Sequence, residues 1–374
     1  MEDHSASGAP RKIGYAVVGL GHIAQNAVLP AFRHAKENSR VVALVSGDAE
    51  KRRELSKKYR KTRSFSYDEY EECLRSPDVD AVYIALPNHL HCDYAVRAAQ
   101  AGKHVLCEKP MAVTQADCQK MIDAARSNNV RLMIAYRLHF EKANLKALEL
   151  AQSGELGTVR YFASSFSMQL REGNVRLESA KGGGTLYDIG IYCINAARFL
   201  FREEPTEVFA LSANNGDQRF AQIDEMTSAI LRFPDERLAT FTASFGASDV
   251  SAYRVVGTKG DLLLDPAYDY SEKLVHRLTI EGKQQKQVFA RRDQFAPEII
   301  YFSQCVLDGK EPEPSGQEGL ADVRIIEALY RSAQEGQPIK LERLAKQQRA
   351  SREQEMYQPP VSEPELVHAQ GPHY

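Results

Sequence analysis

The sequence predicts a two-domain α/β chain: a doubly wound parallel sheet, then an α+β domain carrying a large, mainly antiparallel open sheet. Three observations predict it. From Ile13 to Ala135, short apolar, β-branched runs alternate with amphipathic helical segments, the pattern of parallel strands joined by right-handed crossovers. Beyond Glu207 strand-like runs succeed one another across short turn clusters without intervening helices, which implies antiparallel pairing. The 374 residues also exceed what one compact core of usual size takes up.

The first half reads in order as a strand at Ile13–Val18 closed by Gly19, a helix over Ile23–Lys36, a strand at Val41–Val45 and a helix over Ala49–Tyr59. A short helix over Tyr67–Leu74 precedes a strand at Ala81–Ala85 and a helix over Cys92–Ala101 ended by Gly102. The strand His104–Cys107, the helix Thr114–Ser127 and the strand Leu132–Ala135 complete the unit. The texture changes near Tyr136. A helix over Glu141–Gln152 leads to a long strand-like run, Thr158–Leu170, and to a further helix behind three glycines. Strands then follow at Glu207–Ala213, Met226–Phe233, Leu238–Phe245, Ala252–Val256 and Leu262–Leu264, with a hairpin linking Leu274–Glu281 and Gln287–Ala290 around Gly282. Two helices, Pro297–Leu307 and Gly319–Glu335, close the fold. The expected divisions are a disordered start over 1–10, domains at 11–137 and 138–341, and a charged, Gln-rich tail over 342–374. That tail lacks a buried face and is expected to be disordered, or to order on a partner.

Composition excludes several classes. Forty-eight basic residues stand against 50 acidic ones, a net charge of −2, so no charge excess argues for nucleic acid or a membrane surface. No apolar run is long enough to span a bilayer, and Met1–Pro10 reads as no secretory signal. The six cysteines form no Cys-x-x-Cys pair or regular framework, which suits reduced thiols and a cytoplasmic protein. His89 and His91 stand two apart without further ligands nearby, so no metal is expected.

Gly19-Leu20-Gly21-His22-Ile23-Ala24 follows a strand and opens a helix. The first glycine permits a tight turn, the second lets a pyrophosphate approach the backbone, and the small third residue lets helix and strand pack; the helix start supplies N–H groups and positive dipole. At the end of the second strand, where an NAD site usually carries Asp or Glu for the ribose 2′-hydroxyl, the chain reads Val45-Ser46-Gly47, and Asp48 is displaced into the turn before Lys51, Arg52 and Arg53. A hydroxyl with nearby cations suits a 2′-phosphate, so NADP(H) is expected in preference to NAD. The alternative is that Asp48 bends back to the ribose.

Two further segments carry chemistry. Glu108-Lys109-Pro110 ends the strand His104–Cys107, at the edge where such sheets do their chemistry. Lys181-Gly182-Gly183-Gly184 precedes a helix on which Asp188 and Tyr192, four apart, share a face. A phenol and a carboxylate facing an ammonium from the other domain form an acid–base set for a carbinol. Tyr192 would exchange the hydroxyl proton, Lys109 orient the substrate oxygen and Asp188 bind a neighbouring hydroxyl. Core packing of Tyr192 and helix capping by Asp188 are the plain alternatives.

On these residues, together with Ala43–Gly47, Pro87-Asn88-His89-Leu90-His91, Glu108-Lys109-Pro110-Met111 and Gly182–Asn195, the chain resembles the Gfo/Idh/MocA oxidoreductases from about Lys12 to Lys340. It is most similar to their glucose-fructose oxidoreductase branch. The resemblance implies an N-terminal Rossmann domain and a C-terminal domain whose open sheet packs between subunits as a homodimer or homotetramer. It also implies NADP(H) and hydride transfer at a sugar carbinol. By position, Lys109 is similar to the family's catalytic lysine, Asp188 to its substrate aspartate and Tyr192 to its proton donor. Asn88 and His91 are placed beside the cofactor, and Tyr67, Leu86, Pro87, Glu108, Arg137 and Arg176 join the expected cofactor contacts. Val175 departs from the pattern, because a tryptophan that helps to cover the nicotinamide stands there in that branch. The function expected is NADP-dependent oxidation of C1, or a ring carbinol, of a sugar to the lactone, or the reverse reduction. A sugar–sugar transhydrogenase with retained cofactor and a non-catalytic NADP sensor are the alternatives.

Overall fold

The protein is described by a computed structural model covering residues 11–60, 62–342, 344 and 348–371; the expectation for Met1–Pro10 lies outside the described residues. The first sheet comprises β1 (Ile13–Val18), β2 (Ser39–Val45), β3 (Arg63–Phe65), β4 (Ala81–Ile84), β5 (His104–Glu108) and β6 (Leu132–Ala135). All its pairs are parallel, in the order β3-β2-β1-β4-β5-β6. Every residue of β1, β4 and β6 is buried, which is why these strands read as continuous apolar runs. The order reverses between β1 and β4, so the crevice beyond their carboxyl ends is where such a sheet receives a ligand.

The second sheet has nine strands: β7 (Val159–Ser167), β8 (Glu207–Ala213), β9 (Met226–Phe233), β10 (Arg237–Ser244), β11 (Val250–Gly257), β12 (Gly260–Leu264), β13 (Leu274–Ile280), β14 (Lys283–Phe289) and β15 (Ile339–Lys340). They run in the order β14-β13-β12-β11-β7-β10-β9-β8-β15. The sheet is antiparallel except at its centre, where β7 and β10 pair in parallel. Along β9 the residues alternate between exposed and buried, and Thr227, Ala229, Leu231 and Phe233 face the core.

The structure departs from expectation in four places. β3 and β15 are additional strands, too short for a period-two pattern to show in the sequence. The helix expected over Ile23–Lys36 is a π-turn, Ala24–Val28, running into a short helix, Leu29–Ala31. Pro30 lies there and cannot donate the bond that a continuing α-helix needs. The hairpin closes at Glu281-Gly282, so β14 starts at Lys283. Both turn residues have positive φ, 47° and 79°, the two-residue turn that matches strand twist. The tail, expected to lack a buried face, buries Ala350 and Gln354 among its described residues. It follows its own chain: the Ala350 carbonyl accepts from Arg202, Gln354 donates to the Glu313 carbonyl and the Gln358 carbonyl accepts from Asp293 N at 3.1 Å. Polar backbone contacts of this kind leave no hydrophobic period to read.

The helix Ile191–Phe201 joins the two halves and is preceded by a second π-turn, Leu186–Gly190. Its Arg198 is fully buried. The guanidinium donates to Glu204 at 2.6 and 2.9 Å, Glu318 at 2.8 Å and Asp322 at 2.5 Å, the last two on the helix Gly316–Glu335. Asn195 donates to the same Glu318 and Asp322, at 2.9 and 2.8 Å. Removing the cation takes the shared charge partner from three buried carboxylates, leaving Arg349 on Glu204 at 2.9 Å and Asn195 on Glu318 and Asp322. Arg198→Ala is therefore expected to cost about 3–5 kcal/mol of stability, read by chemical denaturation. A loss below about 1 kcal/mol, the scale of a surface pair, would show that the cluster does not hold the helix.

Candidate active site

A cleft of about 1040 Å³ runs along the carboxyl ends of β1, β4 and β5 and under the Leu186–Phe201 segment. The glycine turn forms one end. Gly19 has φ +92°, and a side chain there would meet the Ala85 carbonyl at 2.4 Å, so only glycine makes this turn against β4. At Gly21 an added Cβ would meet nothing within 4 Å. That open space beside a helix start is the cradle a pyrophosphate needs, and the residues present fit a dinucleotide. His22 and Ile23 line the cleft beside it, whereas Leu20 is turned into the core.

Ser46, Gly47, Arg52 and Tyr67 cluster at the end of β2. The Arg52 guanidinium donates to the Ser46 carbonyl at 2.5 Å, and Tyr67 packs against the Gly47 backbone, where a Cβ would stand 3.2 Å from its ring. Asp48 caps the helix Ala49–Lys58, accepting from Glu50 N at 2.9 Å and Lys51 N at 3.0 Å, while its other oxygen pairs with His368 at 2.9 Å. The Lys51 amide and then His368 hold the Asp48 carboxyl down at about 2. Both oxygens are thus engaged within the chain.

The reacting half brings the two domains together. The Lys109 ammonium donates to the Asp188 carbonyl at 2.8 Å and lies 3.5 Å from its carboxylate, whose other oxygen accepts from Arg176 at 2.7 Å. Burial alone would raise the Asp188 carboxyl; Arg176 and Lys109 outweigh it and hold the group below the usual carboxylate range. Lys109 also sits 4.7 Å from the centre of the Tyr192 ring, a cation–π contact. It is therefore over the ring face. The cation at the phenolic oxygen is Arg137, which donates to it at 3.3 Å. Arg137 is buried and further fixed by the Tyr268 carbonyl and Gln294.

Lys109, Asp188, Tyr192, Arg176, Arg137, Glu108, Leu86, Pro87, Asn88 and His91 all line the one cleft. Arg137 lines the cleft and also donates to the tyrosine hydroxyl. His91 is fully buried, with its nitrogens on the Leu86 and Pro110 carbonyls at 2.8 Å each, so it braces the loops after β4 and β5. Asn88 donates to the Gly182 carbonyl at 2.7 Å and fastens the glycine loop. That loop is glycine-rich for packing as well as suppleness: a Cβ on Gly183 would meet the Arg176 carbonyl at 2.4 Å, and one on Gly184 the Tyr330 hydroxyl at 2.5 Å. The aromatic wall of Phe166, Tyr268 and Tyr270 around Tyr192 and Arg137 was missed, because Phe166 sits in a strand run that reads as core and Tyr268 and Tyr270 sit in a loop without a period. Among the described residues no group of three or more His, Cys, Asp or Glu could hold a metal ion, and no helix is long and apolar enough to cross a membrane.

Comparison with known proteins agrees with this geometry. Residues 13–136 match the family described as "Oxidoreductase family, NAD-binding Rossmann fold", and residues 144–263 match the GFO/IDH/MocA C-terminal domain. An aldose-aldose oxidoreductase from Caulobacter crescentus is 40% identical, with a TM-score of 0.85 over 88% of this chain and 100% of that one. The chain belongs to the Gfo/Idh/MocA oxidoreductases. The D-xylose 1-dehydrogenase [NADP(+)] of Haloarcula marismortui is 31% identical over 88% of this chain and 93% of its own. A 3-ketoreductase of Actinomadura kijaniata, solved with NADP and TDP-benzene, is 26% identical, with a TM-score of 0.79 over 86% and 98% of the two chains. The chain is thus an oxidoreductase with the NAD(P)-binding fold of its family.

Behind Glu108 lies a carboxyl that no motif announced. Glu298 is fully buried and neither oxygen has a hydrogen-bond partner. Burial, and then the neighbouring Glu108, push it well above the usual glutamate range. The folded protein thus keeps a proton that the unfolded chain loses above its ordinary pKa of about 4.3, and folding loses stability as pH rises beyond that value. Glu298→Gln is expected to be more stable than the parent at about pH 8, with the difference fading toward about pH 4. Denaturation curves across that range test this, and a difference independent of pH would contradict it.

Proposed function

We propose that the protein is an NADP-dependent sugar oxidoreductase, acting between the nicotinamide and C1 or a ring carbinol of an aldose, with the lactone as the oxidised product. The carrying observation is the convergence of Lys109 with Asp188 and Arg176, and of Tyr192 with Arg137, from two domains in one cleft. Bound nicotinamide supplies the hydride donor or acceptor. In the reducing direction Tyr192 donates its proton to the substrate oxygen. Arg137 already donates to the tyrosine oxygen, so the charge developing there meets a fixed cation. Lys109 stands over the same ring and can direct an N–H to the substrate oxygen. Oxidation is the same sequence reversed. The Asp188 carboxylate, kept ionised by its two cations, accepts from a second hydroxyl. A polyol with adjacent hydroxyls suits that pairing, and the Phe166, Tyr268 and Tyr270 wall suits the apolar face of a sugar ring. Similarity to aldose and xylose oxidoreductases supports the substrate class.

For the cofactor, Ser46 and Lys51 lie at the end of β2 and the start of the following helix, the region that meets the ribose in such a fold, and the Asp48 carboxylate is engaged by Glu50 N and His368. A charge-assisted contact to the 2′-phosphate is worth about 1.5–3 kcal/mol, or about ten- to a hundredfold tighter binding of NADP than of NAD. Calorimetric titration of both reads this directly. Following nicotinamide absorbance with a panel of aldoses and lactones, Tyr192→Phe is expected to lower turnover about 10²–10⁴-fold while cofactor affinity stays close to the parent's. No signal with any sugar in either direction would sink the substrate class, and near-normal turnover of Tyr192→Phe would send the proton elsewhere.

The outer face of the nine-stranded sheet exposes Leu211, Ile230, Leu238 and Val250 among hydroxyl side chains such as Ser228 and Thr242. A second copy of the chain fits this broad apolar face, as a homodimer or homotetramer. Leu211→Asp with Ile230→Asp should halve the mass seen by sedimentation, and an unchanged mass would rule out this face.

A further inference from the structure

The matched structural relative is covered whole by 88% of this chain, so the protein carries length without counterpart there. Part of its tail goes somewhere specific. Glu363, Pro364, Leu366 and Gly371 line the cleft that contains Gly21, His22 and Ile23. Val367 forms a two-point clasp with Gln25, in the turn after the glycines: its N–H donates to Gln25 Oε1 and its carbonyl accepts from Gln25 Nε2, both at 2.8 Å. Gln25 is itself buried. The Lys58 ammonium donates to the Glu365 carbonyl at 3.0 Å. His368, at φ +45°, turns the chain; it pairs with Asp48 at 2.9 Å and reaches Glu50 at 3.4 Å. Gly371 comes back beside His22: a Cβ added to it would stand 3.6 Å from the His22 Nε2. The arm thus touches the pyrophosphate turn and the adenosine end of β2 together.

We propose that residues 363–371 are a working part of the cofactor site: the arm folds over the adenosine and pyrophosphate half of NADP(H) as a wall and slows its release. The inference rests on the proposed use of NADP. Val175 leaves the nicotinamide end without the tryptophan cover carried by the branch the sequence resembles, and the arm closes the other end from within the same chain. Neither the clasp at Gln25 nor the His368 pairs touch a residue assigned to proton transfer. A slowly released cofactor would favour reduction of a second sugar by the same bound molecule, which balances oxidation of the first without an outside oxidant.

The test uses the full chain with Val367→Pro, which removes the N–H given to Gln25, together with His368→Ala. NADPH release is followed by its fluorescence after displacement with excess NADP. The variant is expected to release NADPH at least about tenfold faster than the parent, as the loss of a few hydrogen bonds predicts. A second reading needs no substitution. If the arm favours bound cofactor, cofactor must favour the seated arm, so NADP should slow cleavage after Glu363 and Glu365 by a glutamate-specific protease. Equal release rates and cleavage unaffected by NADP would overturn the proposal. Tighter binding by the variant would make the arm a plug that competes with cofactor, which also overturns it. A parent protein that binds no NADPH at all would instead overturn the cofactor reading on which the inference stands.

Discussion

A single buried guanidinium fixes the geometry on which the cleft depends. Arg198 lies on the helix that presents Tyr192, and it ties that helix to the C-terminal one through Glu318 and Asp322. Burial of such charges is costly unless every partner is satisfied. Here the satisfaction reaches outward: Asn195 shares both carboxylates and accepts from His139 at 2.8 Å, and His139 stacks between Tyr136 and Phe199. Tyr136 precedes Arg137, the residue at the Tyr192 hydroxyl. The cluster and the Tyr192 hydroxyl are therefore two ends of one packed network. An apolar core of the same volume could be as stable, but would not set the helix in one register so stringently.

The crossing from one domain to the other follows from the same logic. A parallel sheet offers its reacting edge only at strand ends, where Lys109 and Asn88 stand. The second domain must bring its residues to that edge, and it does so through Arg176, Asp188 and the fastened glycine loop. Two π-turns, Ala24–Val28 and Leu186–Gly190, flank the cleft from its two sides. Such wide turns often occur at functional sites; in this chain one follows the glycine turn and the other carries Asp188.

Much of this was legible in the sequence, for definable reasons. β1, β4 and β6 are buried on both faces and betray themselves as apolar runs. Gly19 announces a turn no other residue would make, Gly21 leaves the space beside it open, and Asp188 and Tyr192 share a face by spacing alone. What escaped depends on contacts far apart in sequence. Arg137 at the tyrosine hydroxyl joins positions 55 residues apart, and no local period encodes it. The Glu298 carboxyl sits in an otherwise apolar helix and looks from the sequence like a surface residue. The tail had no hydrophobic pattern because it is held by backbone groups and by His368, which need none.

The pairing of the polar groups also bears on how the site can work. Asp188 is already paired with Arg176 and Lys109, and Tyr192 already accepts from Arg137. A sugar entering the cleft therefore gains little from the mere presence of these charges, because it trades one set of partners for another. What remains favourable is charge that appears only during reaction: negative charge growing on the tyrosine oxygen or the sugar oxygen falls between two cations that were oriented beforehand. Interactions that strengthen only in the transition state accelerate chemistry, whereas equal binding of substrate and transition state does not. The aromatic surround serves the same end, since it lowers the effective dielectric around those cations and makes each fixed contact count for more. Preorganisation of this kind needs a rigid scaffold, and the buried Arg198 cluster on the same helix supplies one.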